Sequence, residues 1–242
     1  MAKELFDTII IGAGPIGSYA ASQLAGYGFK VAVLEEHKQI GEPMQCSGII
    51  GVECFERFHL STASVLREAN SAKLFSPSGK TIRLHSKKPQ AYIVDRIAFD
   101  QLLADAAKSK GAQYYTPYRA ENITITSDKV TVLTETGEAF EGHTAIIASG
   151  FYSKLPQKIG LKKFSDFITG AQAEVVIKSP TDLDEIEVYF DQALAPGFFA
   201  WLVPIAPQRA LAGLFSRKTP RKYLQMFLQK LYERGRIATT PN

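Results

Sequence analysis

Little in this 242-residue chain points to cross-links or metal. Its two cysteines, Cys46 and Cys54, are too few for a disulfide scaffold or a zinc site of paired spacing, so a reducing, cytoplasmic setting is expected. The four histidines, His37, His59, His85 and His143, have no ligand or triad spacing, and no metal is expected. No stretch approaches the ~20 apolar residues of a membrane span, and the opening MAKELFD lacks the apolar core of an export signal. Any membrane contact is therefore expected to be peripheral. Excess charge is also scarce: the net value is +4, with Lys and Arg spread along the chain until its last fifth, so no nucleic acid is expected. There is no internal repeat and no low-complexity tract. At 45% hydrophobic and 21% charged residues the chain is neither disordered nor collagen-like, and its length suits one large or two small domains.

What is present is organised around residues 7–36, DTIIIGAGPIGSYAASQLAGYGFKVAVLEE. The continuous β-branched and aliphatic run 8–11 predicts a parallel strand buried on both faces. Gly12, Gly14 and Gly17 follow at G-x-G-x-x-G spacing, with Ala13 and Pro15 between them. Their expected tasks are a tight turn, close approach of backbone to a pyrophosphate, and close packing of helix on strand. A helix over 16–25 would aim its N-terminal amides at the phosphates. A second strand over 30–34 ends at Glu35, 18 residues after Gly17, where a carboxylate can accept both ribose hydroxyls of an adenosine. Glycine turns also serve plain chain reversal, but strand, helix and acid together specify a dinucleotide of the adenosine diphosphate type.

The following loop reaches Gln45-Cys46-Ser47-Gly48. A cysteine among small polar residues after the dinucleotide unit lies where the far half of an extended cofactor is expected. The alternative is a buried structural thiol, the reading favoured for Cys54. The stretches GAGPIGSYAA, Glu35, EPMQCSG and VDRIAFDQLL resemble the geranylgeranyl reductase family. That family is a branch of the FAD-dependent oxidoreductases sharing the nucleotide fold of glutathione reductase and p-hydroxybenzoate hydroxylase. The resemblance runs from about residue 7 to about residue 231, and Q-C-S-G is its more specific part.

The resemblance implies an α/β fold: a Rossmann-like FAD-binding domain with a parallel sheet over 1–150, plus an α+β substrate domain with an antiparallel sheet over 151–242. Turn chemistry at Pro77-Ser78-Gly79 predicts a hairpin over 71–84, followed by a strand over 91–94. Both are expected as insertions in the first domain. A helix over 97–110 is expected to bury Phe99, Leu102, Leu103 and Ala106. Arg96 at its start goes against the helix dipole, and the resemblance implies that it contacts FAD; the alternative is a surface arginine. Short strands follow at 113–115 and 122–126, then a hairpin about Glu135-Thr136-Gly137 and a separate apolar strand from His143 ending at Ala148-Ser149-Gly150. The resemblance gives Ala148 and Gly150 a place beneath the cofactor, Glu36 a cofactor contact, and Ala120 a backbone contact at the adenine end.

Residues 151–167 read as a basic, aromatic-rich connection, and strands are expected at 170–177 and 185–190. The stretch 195–204 resembles an aromatic motif, P-G-x-Y-x-W-x-F-P, that lines a lipid cavity. This chain keeps Pro196, Gly197, Trp201 and Pro204 but has Phe199 and Val203 where the family has tyrosine and phenylalanine. Phe199, Trp201 and Pro204 are the implied substrate contacts; the alternative is core packing. The helix over 220–234 has an apolar stripe at Leu224, Phe227, Leu228 and Leu231, expected to pack on its own domain, with a membrane surface as the minority reading. A third flavoprotein motif, Gly-Asp, has no match after Val203, which implies a fragment of a longer protein.

The implied activity is reduction of carbon–carbon double bonds in a geranylgeranyl lipid or related isoprenoid by hydride from reduced flavin. Cys46 is the candidate catalytic residue, beside Ser47 and Gly48 as cofactor contacts, and the external donor is NAD(P)H or ferredoxin. Expected partners are the lipid and an electron-donor protein. The alternatives are a flavin monooxygenase or halogenase acting on an aromatic compound, and a non-catalytic nucleotide-binding fragment.

Overall fold

The structure is a computed structural model that describes residues 4–44, 46–178 and 185–239. Along the chain run β1 (Leu5–Ile11), α1 (Pro15–Gly26), β2 (Val31–Leu34), β3 (Ile49–Gly51), α2 (Val52–Phe58), β4 (Val65–Ala69), β5 (Ser71–Phe75), β6 (Thr81–His85) and β7 (Ala91–Val94). There follow α3 (Arg96–Lys108), β8 (Gln113–Tyr115), β9 (Ala120–Ile125), β10 (Val130–Thr134), β11 (Ala139–Ile147) and α4 (Leu155–Lys158). The last elements are β12 (Thr169–Val176), β13 (Glu185–Tyr189), β14 (Ala200–Ala206), β15 (Arg209–Ser216) and α5 (Pro220–Glu233). Contacts divide the chain into two compact units, Met1–Met44 with Arg96–Phe164, and Gln45–Asp95 with Ser165–Asn242. A single cut at residue 150 does not describe this division.

The first unit is built on a sheet of order β8-β2-β1-β11-β10-β9, parallel across β8, β2, β1 and β11 and antiparallel beyond. Burial on both faces explains the apolar runs Ile9–Ile11 of β1 and Val31–Leu34 of β2. Ile10 and Val33 pack under α1 and α3, while Phe6, Ile9 and Leu34 pack on the opposite side with Val132 and Leu155. β11 is one strand, not the two expected. Its first residues pair with β10 and its later ones with β1, so a single strand carries the switch from antiparallel to parallel. Helix α3 also turns a different face inward, burying Phe99, Asp100, Ala104 and Ala107 and leaving Ala106 exposed. Ala104 and Ala107 share a core with Ala21 and Ala25 of α1, and these small side chains let two helices come close.

The second unit has a sheet of order β12-β15-β14-β13-β5-β6, antiparallel except for the β13–β5 pair. The hairpin β5–β6 forms as expected, but it is part of this sheet, held by five aligned pairs from Glu185–Ser71 to Tyr189–Phe75. β7 likewise joins β3 and β4 in a small antiparallel sheet of the same unit. β15, RALAGLFS, had no counterpart among the expected strands. One face of the large sheet packs Ala200, Leu202 and Leu214 against Leu224, Phe227, Leu228 and Leu231. The stripe of α5 is thus core, which removes the reading of that helix as a membrane surface. Arg236 and the Tyr189 hydroxyl both bond the buried Glu187 carboxylate, and burial, then the charge of Glu187, pushes the Tyr189 phenol well above its ordinary value. No helix among the described residues is long and apolar enough to cross a membrane.

Candidate cofactor site

The glycine turn leaves β1 at Gly12, whose φ of +104° suits glycine. A Cβ there would lie 2.5 Å from Ala148 O, and one on Gly17 would lie 1.9 Å from Gly12 O and 3.3 Å from Ala148 Cβ. Both glycines are therefore demanded by the chain's own backbone. Gly14 is different. It caps α1 at φ −66° with Pro15 in the first turn, and a Cβ on it would meet no protein atom within 4 Å. Nothing in the fold requires glycine at 14, so the open space before it suits the close approach of a ligand. The Ser18 amide makes the first intrahelical bond, to Gly14 O at 2.9 Å, and the amides before it precede the helical ladder, where anions are favoured.

Both ends of the Ala13 residue in this turn are held. Its N–H donates to Glu35 Oε2 at 2.9 Å, and its carbonyl accepts from the Ser18 hydroxyl at 3.0 Å. Ser18 Oγ in turn accepts from the Tyr114 hydroxyl at 3.0 Å. Burial pushes the Tyr114 phenol up to about 12, with the Ser18 bond opposing. Glu35 is 9% exposed, and its Oε1 takes the His37 amide at 2.9 Å and His37 Nδ1 at 2.7 Å. Of about four acceptor positions on a carboxylate, three are filled. Glu35 therefore offers one free position, on Oε2, and not room for both ribose hydroxyls.

Arg96 opens α3 and grips Asp100 with Nη2 at 2.7 and 3.1 Å. The two side chains are 18% and 9% exposed, and Arg96 Nε is buried without a hydrogen-bond partner among the described residues. Burial raises the Asp100 carboxyl above its ordinary value, with Arg96 pulling it down. Gly41, at φ +90°, lies so close to the helix start that a Cβ would fall 2.9 Å from Ile97 Cα. Between this loop, Ile97 and Pro117 is an open groove of about 690 Å³ lined by Glu36, His37, Lys38, Gln39, Glu42, Pro43 and Met44. Glu36 pairs with Arg119 at 3.4 Å. Ala120 starts β9, half-buried opposite Thr134. Gly150 follows β11 exposed at φ +71°, and Ser149 Oγ beside it is buried without a hydrogen-bond partner.

The FAD binding domain family matches residues 6–236. The chain belongs to this family. Among proteins similar to it, the digeranylgeranylglycerophospholipid reductase of Methanocaldococcus jannaschii is 31% identical, covering 96% of this chain and 61% of that protein. The reductase of the same name from Methanosarcina mazei is 29% identical, covering 97% of this chain and 62% of that protein. This chain thus spans about three fifths of the length of these relatives. A geranylgeranyl bacteriochlorophyll reductase-like protein of Thermoplasma acidophilum has a structure similar at TM-score 0.85 and 25% identity, over 98% of this chain and 65% of that one. A myxobacterial chondrochloren halogenase shares the fold at TM-score 0.76 and 18% identity, over 97% of this chain and 58% of that one.

FAD is the cofactor of this family, and the residues present fit it. Gly14 leaves unfilled space before the α1 N-terminus, Glu35 keeps one acceptor, and Arg96 Nε and Ser149 Oγ are buried polar atoms without partners. Gly12, Ala13, Gly14, Pro15, Gly17, Glu35, Glu36, Arg96, Ala120, Ala148 and Gly150 all belong to the first unit. Sequence reasoning missed Ser18, His37, Asp100, Tyr114 and Ser149. Asp100 stands four residues after Arg96, a spacing that could have signalled the pair; the Tyr114 contact spans 96 residues and left no local sign.

The remaining candidates belong to the second unit. Cys46 is exposed, and its Sγ accepts from the Gly48 amide at 3.5 Å. Gly48 is buried at φ +76°, and Ser47 is half-buried. Gln45 lies outside the described residues. Trp201, 8% exposed, packs with Ala69, Ile93, Val203 and Leu211, with Phe199 against the same cluster. The indole lies over Gly213, where a Cβ would approach it to 2.5 Å. Strand alternation puts Pro204 on the opposite face, opposite Ala210 of the α5 core. Phe199 and Trp201 therefore share a surface that Pro204 does not.

Proposed function

We propose that this chain carries the FAD-binding and substrate-facing parts of a reductase that saturates carbon–carbon double bonds of a geranylgeranyl or related isoprenoid lipid. The observation that carries the reading is the 31% identity, across 96% of this chain, to a digeranylgeranylglycerophospholipid reductase. The first unit takes the nucleotide role and the second the substrate role. FAD held by these residues would, once reduced by NAD(P)H or a ferredoxin-like partner, supply the hydride chemistry that alkene saturation needs, with a proton required beside it.

The chain's own groups do the rest. The turn at Gly12–Gly17 and the α1 N-terminus hold a pyrophosphate. Glu35 accepts one ribose hydroxyl, and Arg96 offers its unpartnered Nε. Exposed Cys46, accepting from the Gly48 amide, holds or delivers the proton. Half-buried Phe199, backed by the packed Trp201 indole, supplies apolar surface for the polyprenyl chain. Peripheral contact with a membrane suits a substrate of this kind.

The test is anaerobic. Protein loaded with FAD and reduced with dithionite is expected to be reoxidised by a geranylgeranyl lipid. Reoxidation by oxygen alone favours the monooxygenase or halogenase alternative, and failure to take up FAD favours the non-catalytic fragment. Cys46→Ala is expected to lower turnover without a shift in melting temperature.

A further inference from the structure

The segment 151–164, FYSKLPQKIGLKKF, is used neither by the cofactor site nor by a core, apart from Leu155. It holds four lysines and no acidic residue, and Lys154, Lys158, Lys162 and Lys163 are all exposed. Its apolar side chains are exposed as well: Phe151 49%, Tyr152 77%, Leu161 59% and Phe164 64%. They are not strewn at random. Phe151 and Phe164, at opposite ends of the segment, stack with centroids 5.7 Å apart and planes 16° from parallel, and Tyr152 meets Phe151 edge-on at 5.4 Å.

The segment is anchored from beneath. Leu155 of α4 is 5% exposed in the core with Val132 and Phe6, and Lys158 Nζ donates to Glu121 O at 2.7 Å. The anchored segment thus carries exposed aromatic and aliphatic carbon together with four exposed lysines. Exposed rings beside lysines suit a membrane interface, where rings sit at headgroup depth and each lysine gains from anionic lipid. Exposed Leu161 matches acyl chains better than stacked bases. The cations are all lysine, point charges suited to a diffuse surface potential and not the planar forks that read individual phosphates or carboxylates.

We propose that residues 151–164 form a docking surface for an anionic lipid bilayer. The proposal does not depend on FAD or on the identity of the substrate. It moves the membrane contact from α5, whose apolar stripe is buried, to the connection between β11 and β12.

The experiment is flotation of the 242-residue protein with phosphatidylcholine vesicles, with and without phosphatidylglycerol. Binding is expected only to the anionic vesicles and is expected to fall with salt. Lys154→Gln, Lys162→Gln and Lys163→Gln together are expected to lower partitioning at least about tenfold, and Phe151→Ser with Phe164→Ser to abolish it. Neutralising the exposed Arg221 and Lys222 of α5 is expected to leave binding within about twofold, since α5 is not the contact. Circular dichroism melts confirm that each variant is folded. The proposal is overturned by no vesicle binding, by binding indifferent to the lysine and phenylalanine changes, or by self-association that disappears in the phenylalanine variant. In the last case the surface belongs to a second copy. Saturable binding to RNA or DNA in place of vesicles overturns it equally.

Discussion

The amide of Ala13 donates to Glu35 Oε2 at 2.9 Å, joining the glycine turn to the end of β2 across 22 residues. The bond holds the turn and orients the carboxylate, leaving one of its acceptor positions free. Hydrogen bonds to charged groups contribute about 1.5–3 kcal/mol, so Glu35→Ala is expected to weaken FAD binding roughly ten- to hundredfold, read by isothermal titration. An unchanged Kd would show that Glu35 serves only the turn.

Gly17 and Gly14 separate fold from ligand. Gly17→Ala drives a Cβ into the Gly12 carbonyl and is expected to cost about 3 kcal/mol, roughly 10 °C in Tm for a chain of this size. Gly14→Ala is expected to leave Tm within about 1 °C yet weaken FAD binding at least about tenfold. Equal melting losses in both variants would contradict the assignment of Gly14 to the ligand.

Asp100 gives a pH signature. Its carboxyl is raised from the ordinary 3.8 chiefly by burial, so it keeps its proton to higher pH in the folded chain than in the unfolded one. Folding takes up a proton between 3.8 and the raised value, and this contribution to stability falls as pH rises through that window, then levels off. Urea unfolding of Asp100→Asn is expected to lack that slope. At neutral pH the variant is expected to be about 1 kcal/mol less stable, because the Arg96 guanidinium exchanges two carboxylate oxygens for one neutral amide oxygen.

Trp201 depends on the absence of a side chain at Gly213. Gly213→Ala is expected to cost about 2 kcal/mol through overpacking against the indole and the Gln172 stem. Trp201→Phe added to it is expected to recover part of that loss. If both single variants melt together with the double, the contact is not the source.

Legibility followed the range of the interaction. The turn chemistry at Pro77-Ser78-Gly79 and Thr136-Gly137 located both hairpins, since a turn is decided within four residues. The same reasoning assigned β5–β6 to the wrong unit, because the partner of β5 is β13, more than a hundred residues later. The face of α3 was misread because its leucines outweighed Ala104 and Ala107 in a hydrophobic pattern. In the fold, close approach of α1 selects the small residues. Pro204 was grouped with Phe199 and Trp201 by motif, whereas the period of two along β14 puts it on the other face.

By itself the sequence determined the β1–turn–α1–β2 unit, the glycine positions, the acid at 35 and hence a nucleotide-diphosphate site. Those features depend on steric rules and periodicities that act over a few residues. Only the tertiary structure decided what each group is free to do. His37 and Ala13 leave Glu35 a single acceptor, and Asp100 holds Arg96 by one nitrogen while Nε stays unpartnered. Burial takes the α5 stripe out of contention for a membrane and leaves the aromatic rings and lysines of 151–164 exposed. Those outcomes depend on which distant surfaces pack together, because burial and hydrogen-bond occupancy are properties of the assembled chain and not of any short stretch of it.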